Sequence, residues 1–464
     1  MRLVRRRGHD ARGQSAHATQ FQGQAQPTRR SVAQDARMLI AMDSIYRIRN
    51  RDLLAVCVFA LLLMGVIMVQ SAAFGLSGQV GWRWSITGTR DVMFVAAAIV
   101  AFFVCGRLDY RMLARPNGWH RLKGRIIHPF GGSSSSVSLG DSPIRQWLST
   151  PAVWVFVIAV LLCAAVLVPH IGKEVNGARR WIQLGPIQVQ ASELGKWACV
   201  MLFAWIMSAR PVDPRQFKGL LLCFVPMGVV GLLIVKEDFG TAALIGVCML
   251  AVLVAGGVRL WHLGLFIPPL AVAAVYFVVR EPYRLRRVMA FLDPYAAPQK
   301  EGYHLIQSLL SFASGGVTGR GLGNGVQKLG YLPEDTTDFI FAMICEELGL
   351  FGAMFTIVLY LGIIWCCWNI ARRARDSFGQ LLAFGVGCMI GLQAMINIAV
   401  ATVSVPPKGL PLPLVSFGGT GLVITCAMLG LVYNVARISG EDYGVAEDTA
   451  VAGQLRPTTT VAPA

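Results

Sequence analysis

Ten stretches of this chain are each apolar for long enough to cross a lipid bilayer, and that pattern alone excludes most folds. A helix needs about 17 to 25 mostly apolar residues to span the hydrocarbon core. Such stretches run at 52–71, 91–106, 151–169, 193–208, 219–235, 240–257, 262–279, 350–371, 380–403 and 417–436. The second and fourth are short of apolar residues. In lipid every backbone polar group must be bonded inside its own segment or to protein. The expected fold is therefore an all-α polytopic membrane protein of about ten transmembrane helices, with a large extracytoplasmic loop between helices 7 and 8. Composition agrees, since 55% of the residues are hydrophobic and 14% charged, too apolar for a soluble chain of this size. No early stretch pairs a short apolar core with a small-residue cleavage site, so insertion is expected through the chain's own helices.

An even number of spans puts both termini on one side, and the basic residues say which. Eleven arginines in the first 51 residues, the loop at 107–150, Arg210 with Arg215 and Lys218, and the run Arg372, Arg373, Arg375 share one face. That face is expected to be cytoplasmic. The net charge of +17 then fixes topology, and because few aromatics interleave with the arginines no nucleic-acid partner is expected. The eleven cysteines lie almost entirely in apolar runs without metal-ligand spacing, and read as small buried hydrophobes. The chain divides into a disordered basic tail at 1–44, a ten-helix domain at 45–437 and a disordered tail at 438–464. An interfacial helix at 37–49 would place Met38, Leu39, Met42, Ile45 and Tyr46 on one face. The loop at 107–150 carries a flexible insertion around Gly131 to Ser136.

The stretch at 280–349 is too long and too charged for a connector. It opens with Glu281, Arg284, Arg286 and Arg287, passes through a glycine-rich run from Gly315 to Gly325 and Lys328, and closes with Asp338, Glu346 and Glu347. Basic groups able to hold phosphates and a carboxylate able to act as a base thus share one loop. Bland readings stand beside these. Asp338 is a good helix N-cap type. The glycines serve tight turns, or else build a backbone nest for a pyrophosphate. Glu193 and Lys196, one helical turn apart, pair with each other, and Asp238 caps a helix. The prolines 406, 407, 411 and 413 break the pattern between the last two spans. Such backbone is tolerated at membrane depth only where protein or a water-filled cavity satisfies it. Gln393 and Asn397 read as bridges between helices.

Five separated motifs carry a resemblance: Gly177 to Lys196, Tyr283 to Tyr295, Gly321 to Leu332, Thr337 to Gly349 and Pro407 to Gly419. Together they resemble the SEDS family of shape, elongation, division and sporulation proteins, over roughly residues 45 to 437. The GLGNGVQKLGYLPE wording is closer to its FtsW-like division branch than to its RodA-like elongation branch. The resemblance implies a peptidoglycan glycosyltransferase polymerising lipid II at the outer face of the membrane. It makes Asp338 the catalytic carboxylate. It also makes Arg180, Glu193, Lys196, Asp238, Arg287, Lys328, Lys408 and Ser416 candidate substrate-binding residues. Guanidinium groups suit phosphate best, because they bind it bidentately.

A divalent cation, Mg2+ or Mn2+, is a candidate aid to the pyrophosphate leaving group, with Asp338 as its candidate ligand. The implied partners are lipid II, a class B penicillin-binding transpeptidase and other membrane proteins of the division machinery. Two departures stand out: Thr336 occupies a place where the family often has histidine, and Lys236-Glu237-Asp238 replaces the more usual Gln-Pro-Asp. A lipid II flippase and a non-enzymatic division scaffold remain open as alternatives. The spans are poor in midplane polar groups, which favours surface chemistry over transport.

Overall fold

The computed structural model describes residues 49–77, 86–114, 147–169, 172–175, 178–185, 187–209, 216–235, 237–300, 302–327, 338–416 and 418–454. The basic tail, most of the helix expected at 37–49, most of the 107–150 loop, and Lys328 through Thr337 lie outside them. In chain order the helices are α1 (Asn50–Ser77), α2 (Ile86–Arg107), α3 (Pro151–Val166), α4 (Ala191–Ala209), α5 (Phe217–Val235) and α6 (Phe239–Ala255). There follow α7 (Leu260–Gly264), α8 (Ile267–Val279), α9 (Pro282–Leu292), α10 (Tyr303–Gly315), α11 (Ile340–Arg373), α12 (Ser377–Ala401) and α13 (Thr420–Gln454). Every apolar stretch read from the sequence falls on these helices, 262–279 being shared by α7 and α8, and the chain is a polytopic helical membrane protein.

Among the described residues six segments are long and apolar enough to cross a membrane by themselves: α1 up to Ala72, α5, α7 with α8, α11, α12 and the part of α13 up to Gly440. α3 and α6 are shorter apolar helices. α4 is less apolar for a physical reason: all but three of its 19 residues are buried, so protein rather than lipid surrounds it. It packs against α3, α6 and α12. At the other extreme α8 has no buried residue. Where α2 crosses α13, a Cβ on Gly430 would fall 2.4 Å from the carbonyl of Phe102, so only glycine lets the two backbones approach.

Between α3 and α4 the chain forms an antiparallel sheet of β1 (Gly172–Val175), β2 (Ala178–Leu184) and β3 (Ile187–Gln190), in that order. Ile182 faces Val189 across it. Its strands carry aromatic and β-branched residues, Val175, Trp181, Ile182, Ile187 and Val189, which favour extended backbone.

Two boundaries differ from the sequence expectation. α11 begins at Ile340, ten residues before the predicted span, because the first part is a half-helix sunk in protein: Ile340 through Glu347 are all buried. It breaks at Gly349, with φ 64° and ψ −158°, a conformation essentially restricted to glycine. The groups freed by the break are taken up by the preceding loop. Arg320 N donates to Glu346 O, Gly321 N to Glu347 O, and Leu350 N to Gly316 O. A Cβ at Gly349 would also meet Gly319 N at 2.3 Å. Gly349→Ala is therefore expected to destabilise the fold by about 3 kcal/mol, read as a lowered unfolding midpoint in detergent. The second difference is that α13 continues to Gln454, past the start of the expected disordered tail. Its sequence there has alanine, glutamate and glutamine, and no proline before Pro457, so helix propensity persists.

Candidate functional site

The proline-rich segment between α12 and α13 is the spine of the site. Its broken backbone leaves carbonyls without helical partners, and side chains from three helices reach them. Arg287 of α9 donates to Pro407 O at 3.3 Å, Asn397 of α12 to Leu410 O at 2.7 Å, Gln393 of α12 to Pro411 O at 2.8 Å, and the Tyr360 hydroxyl of α11 to Pro413 O. The Ser416 hydroxyl accepts from Leu412 N at 2.8 Å, closing the turn. This is how irregular backbone survives inside a membrane protein; Gln393 and Asn397, read as bridges between helices, here tie α12 to the irregular segment.

Asp338 sits just before α11. The N-cap of that helix is the next residue, Phe339. Its carboxylate lies against the spine, since a Cβ on Gly409 would fall 2.7 Å from Asp338 Oδ2. Beside it stands a basic cluster around the corner of α5 and α6. Asp238 caps α6, accepting from Thr241 N at 3.0 Å and the Thr241 hydroxyl at 2.8 Å, and faces Arg180 of β2 at 3.7 Å. Arg180 also donates to Glu237 O.

Phe239 presents its ring to two cations, Lys408 at 4.9 Å and Arg284 at 5.5 Å. Arg284 further ties α9 to the bundle through Val235 O and Phe277 O, both at 2.9 Å. Arg287 lies 4.5 Å over Tyr283. Burial pulls the Lys408 ammonium below its ordinary pKa; Asp238 opposes this and Arg284 adds to it. The cluster thus gathers Arg180, Arg284 and Lys408 around the buried Asp238 carboxylate, with Arg287 beside them on the proline-rich segment, an arrangement suited to a polyanionic group.

The other candidates sit elsewhere. Lys196 donates to Glu193 Oε2 at 2.7 Å and Gln393 Oε1 at 2.8 Å, with its side chain 2% exposed. The pair is turned into protein, where it orients the Gln393 amide toward Pro411; neither head opens on the cluster. Ser416 is likewise buried. Lys328 lies outside the described residues.

The glycine-rich nest exists, but the protein's own carboxylates fill it. Glu346 accepts from Val326 N at 2.8 Å and Gln327 N at 3.3 Å. Glu347 accepts from Gly323 N at 3.1 Å and from the Ser71 hydroxyl at 2.7 Å. A pyrophosphate is not needed to explain those glycines.

Sequence reasoning passed over His304 of α10, whose ring stacks on Phe339 at 5.8 Å. No spacing signal marks it, because α10 and α11 are brought together only by the fold. Among the described residues no group of three or more His, Cys, Asp or Glu gathers to hold a metal ion. A hard divalent cation at Asp338 would have to take most of its oxygen ligands from a phosphorylated substrate.

Residues 135–441 match the FtsW/RodA/SpoVE family, described as cell cycle proteins. A probable peptidoglycan glycosyltransferase FtsW from Coxiella burnetii is 35% identical over 389 residues, 82% of this chain and 95% of the relative. Another from Nitrosococcus halophilus is 42% identical over 273 residues, 58% and 70% of the two chains. Among solved structures, a chain from work on how a peptidoglycan synthase complex coordinates polymerization and crosslinking superposes with a TM-score of 0.63. It is 27% identical, over 83% of this chain and 97% of that one. The rod shape determining protein RodA of Thermus thermophilus, at TM-score 0.54 and 23% identity over 83% and 95%, shares the fold.

Proposed function

The chain belongs to the FtsW/RodA/SpoVE family of cell cycle proteins, and from that premise we propose that it is a peptidoglycan glycosyltransferase polymerising lipid II during septal wall synthesis. The observation that carries the reading is the Asp338 carboxylate seated on the same proline-rich segment as the basic cluster. Asp338 takes the proton of the attacking sugar hydroxyl as that oxygen bonds to the anomeric carbon of the donor. The bond from that carbon to the lipid pyrophosphate breaks with inversion, and its electron pair leaves on the pyrophosphate. Arg180, Arg284, Arg287 and Lys408 hold the charge that develops there. Asp338 would be the protein's ligand to a divalent cation, which would supply Lewis-acid stabilisation to the leaving group when bound. Transfer is at the outer face of the inner membrane, with both termini cytoplasmic. A class B penicillin-binding transpeptidase is the proposed partner, supported by the crosslinking complex to which the fold is similar.

Polymer formation from labelled lipid II by the purified chain with its transpeptidase tests the reading. No polymer from the native complex, beside an active control polymerase, would return the flippase and scaffold alternatives.

Lys408 should affect binding more than chemistry. Lys408→Ala is expected to raise KM about tenfold, the effect of losing one charge-assisted contact, with a smaller change in kcat. Because its ammonium loses its proton below the ordinary lysine range, KM in the native chain should rise as pH is raised into the alkaline range. That rise should be absent from the variant.

A further inference from the structure

Asn397 is 1% exposed, and its amide nitrogen donates twice, to Asp338 O at 2.8 Å and to Leu410 O at 2.7 Å. Two carbonyl acceptors fix which end of the amide is nitrogen, since a flipped group would set oxygen against oxygen. The Asp338 carbonyl is open to this bond because the first turn of α11 starts one residue later, with Ala342 and Met343 both donating to Phe339 O.

Gly409, next to Leu410, faces the other end of the same residue, with its absent Cβ position 2.7 Å from Asp338 Oδ2. Gly409 is not among the glycines with positive φ. What excludes a side chain there is the space the carboxylate fills. The contacts close a ring that runs from the Asp338 main chain through Asn397 to Leu410 and Gly409, and back to the Asp338 carboxylate.

We propose that Asn397 and Gly409 are positioning residues for Asp338: Asn397 fixes the main chain that bears the carboxylate, and Gly409 leaves the slot in which the carboxylate rests. The proposal rests on Asp338 being the base. A general base works only within hydrogen-bond reach of the proton it removes, and a displacement of about 1 Å lowers the rate roughly a hundredfold. Neither residue belongs to the basic cluster, so their loss should act on kcat and leave KM in place.

The test compares initial rates of polymerisation across labelled lipid II concentrations for the full native chain, Gly409→Ala, Asn397→Ala, Ser308→Ala and Asp338→Ala, with an unfolding midpoint for each. Gly409→Ala is the decisive variant. The atom its Cβ would meet is the end of a side chain, which yields by moving, so this protein should melt with the native chain. Its kcat should fall roughly a hundredfold at unchanged KM, and Asn397→Ala should show the same split. Ser308→Ala removes a buried bond of the same kind, from the Ser308 hydroxyl of α10 to Ala401 O at 2.6 Å, without touching Asp338, and should keep the native kcat.

Native kcat in Gly409→Ala and Asn397→Ala beside an inactive Asp338→Ala would overturn the proposal and leave the base in place. So would an equal loss in Ser308→Ala. An active Asp338→Ala would overturn the base assignment itself, and the proposal with it.

Discussion

Replacing Asp338 with alanine or with asparagine is expected to lower lipid II polymerisation by roughly three orders of magnitude, the scale of a lost general base. Asparagine is the sharper probe. It keeps the volume beside Gly409 and leaves the main-chain bond from Asn397 in place, so the protein should fold and elute as the native chain does. What it removes is the capacity to accept a proton from the attacking hydroxyl. KM should change little, because the cations that hold the donor belong to β2, α9 and the proline-rich segment. Gel-resolved polymer from fluorescent lipid II measures the effect. Native polymer from Asp338→Asn would move the base elsewhere, with His304, stacked on Phe339, as the group to examine next.

The largest effect on stability is expected at Glu347. Its carboxylate lies in the interior, 1% exposed, and accepts from the Ser71 hydroxyl of α1 and the Gly323 amide. Glu347→Leu fits the volume but strands the buried Ser71 hydroxyl away from water and takes the acceptor from the Gly323 amide. Losing bonds to a charged acceptor and leaving their donors unpaired should cost roughly 3–5 kcal/mol, a large part of the marginal stability of a typical fold. The expected result is a sharply lowered unfolding midpoint in detergent, with little protein eluting as a single species. Glu347→Gln should be milder, because one oxygen remains to accept. If Glu347→Leu melted with the native chain, the carboxylate would not be what holds the glycine-rich loop to α11.

The membrane class, the helices and the unusual length and charge of the 280–349 region were legible in the sequence because each is written locally. Hydropathy over about 20 residues marks a span whatever surrounds it, and a long charged segment between spans marks itself by contrast. The motif around Asp338 was legible for a different reason, a resemblance of wording. Where the sequence reading separated from the structure, residues far apart had met. Glu193 and Lys196 look alike whether they line a cleft or pair inside the bundle; Gln393, 197 residues on, accepts from the ammonium and turns the pair inward.

Local pattern thus determined that this chain is a bundle of membrane helices, with a long charged segment at 280–349 and a proline-rich connection before the last helix. Only the tertiary structure decided which glycines hold carboxylates, where α11 begins, and what keeps Asp338 in place. The reason is that buried hydrogen bonds are set by long-range geometry. Ser71 meets Glu347 across 276 residues, and Asn397 meets Asp338 across 59. In a low-dielectric interior such groups must find their partners somewhere in the fold, and no periodicity in the sequence says where.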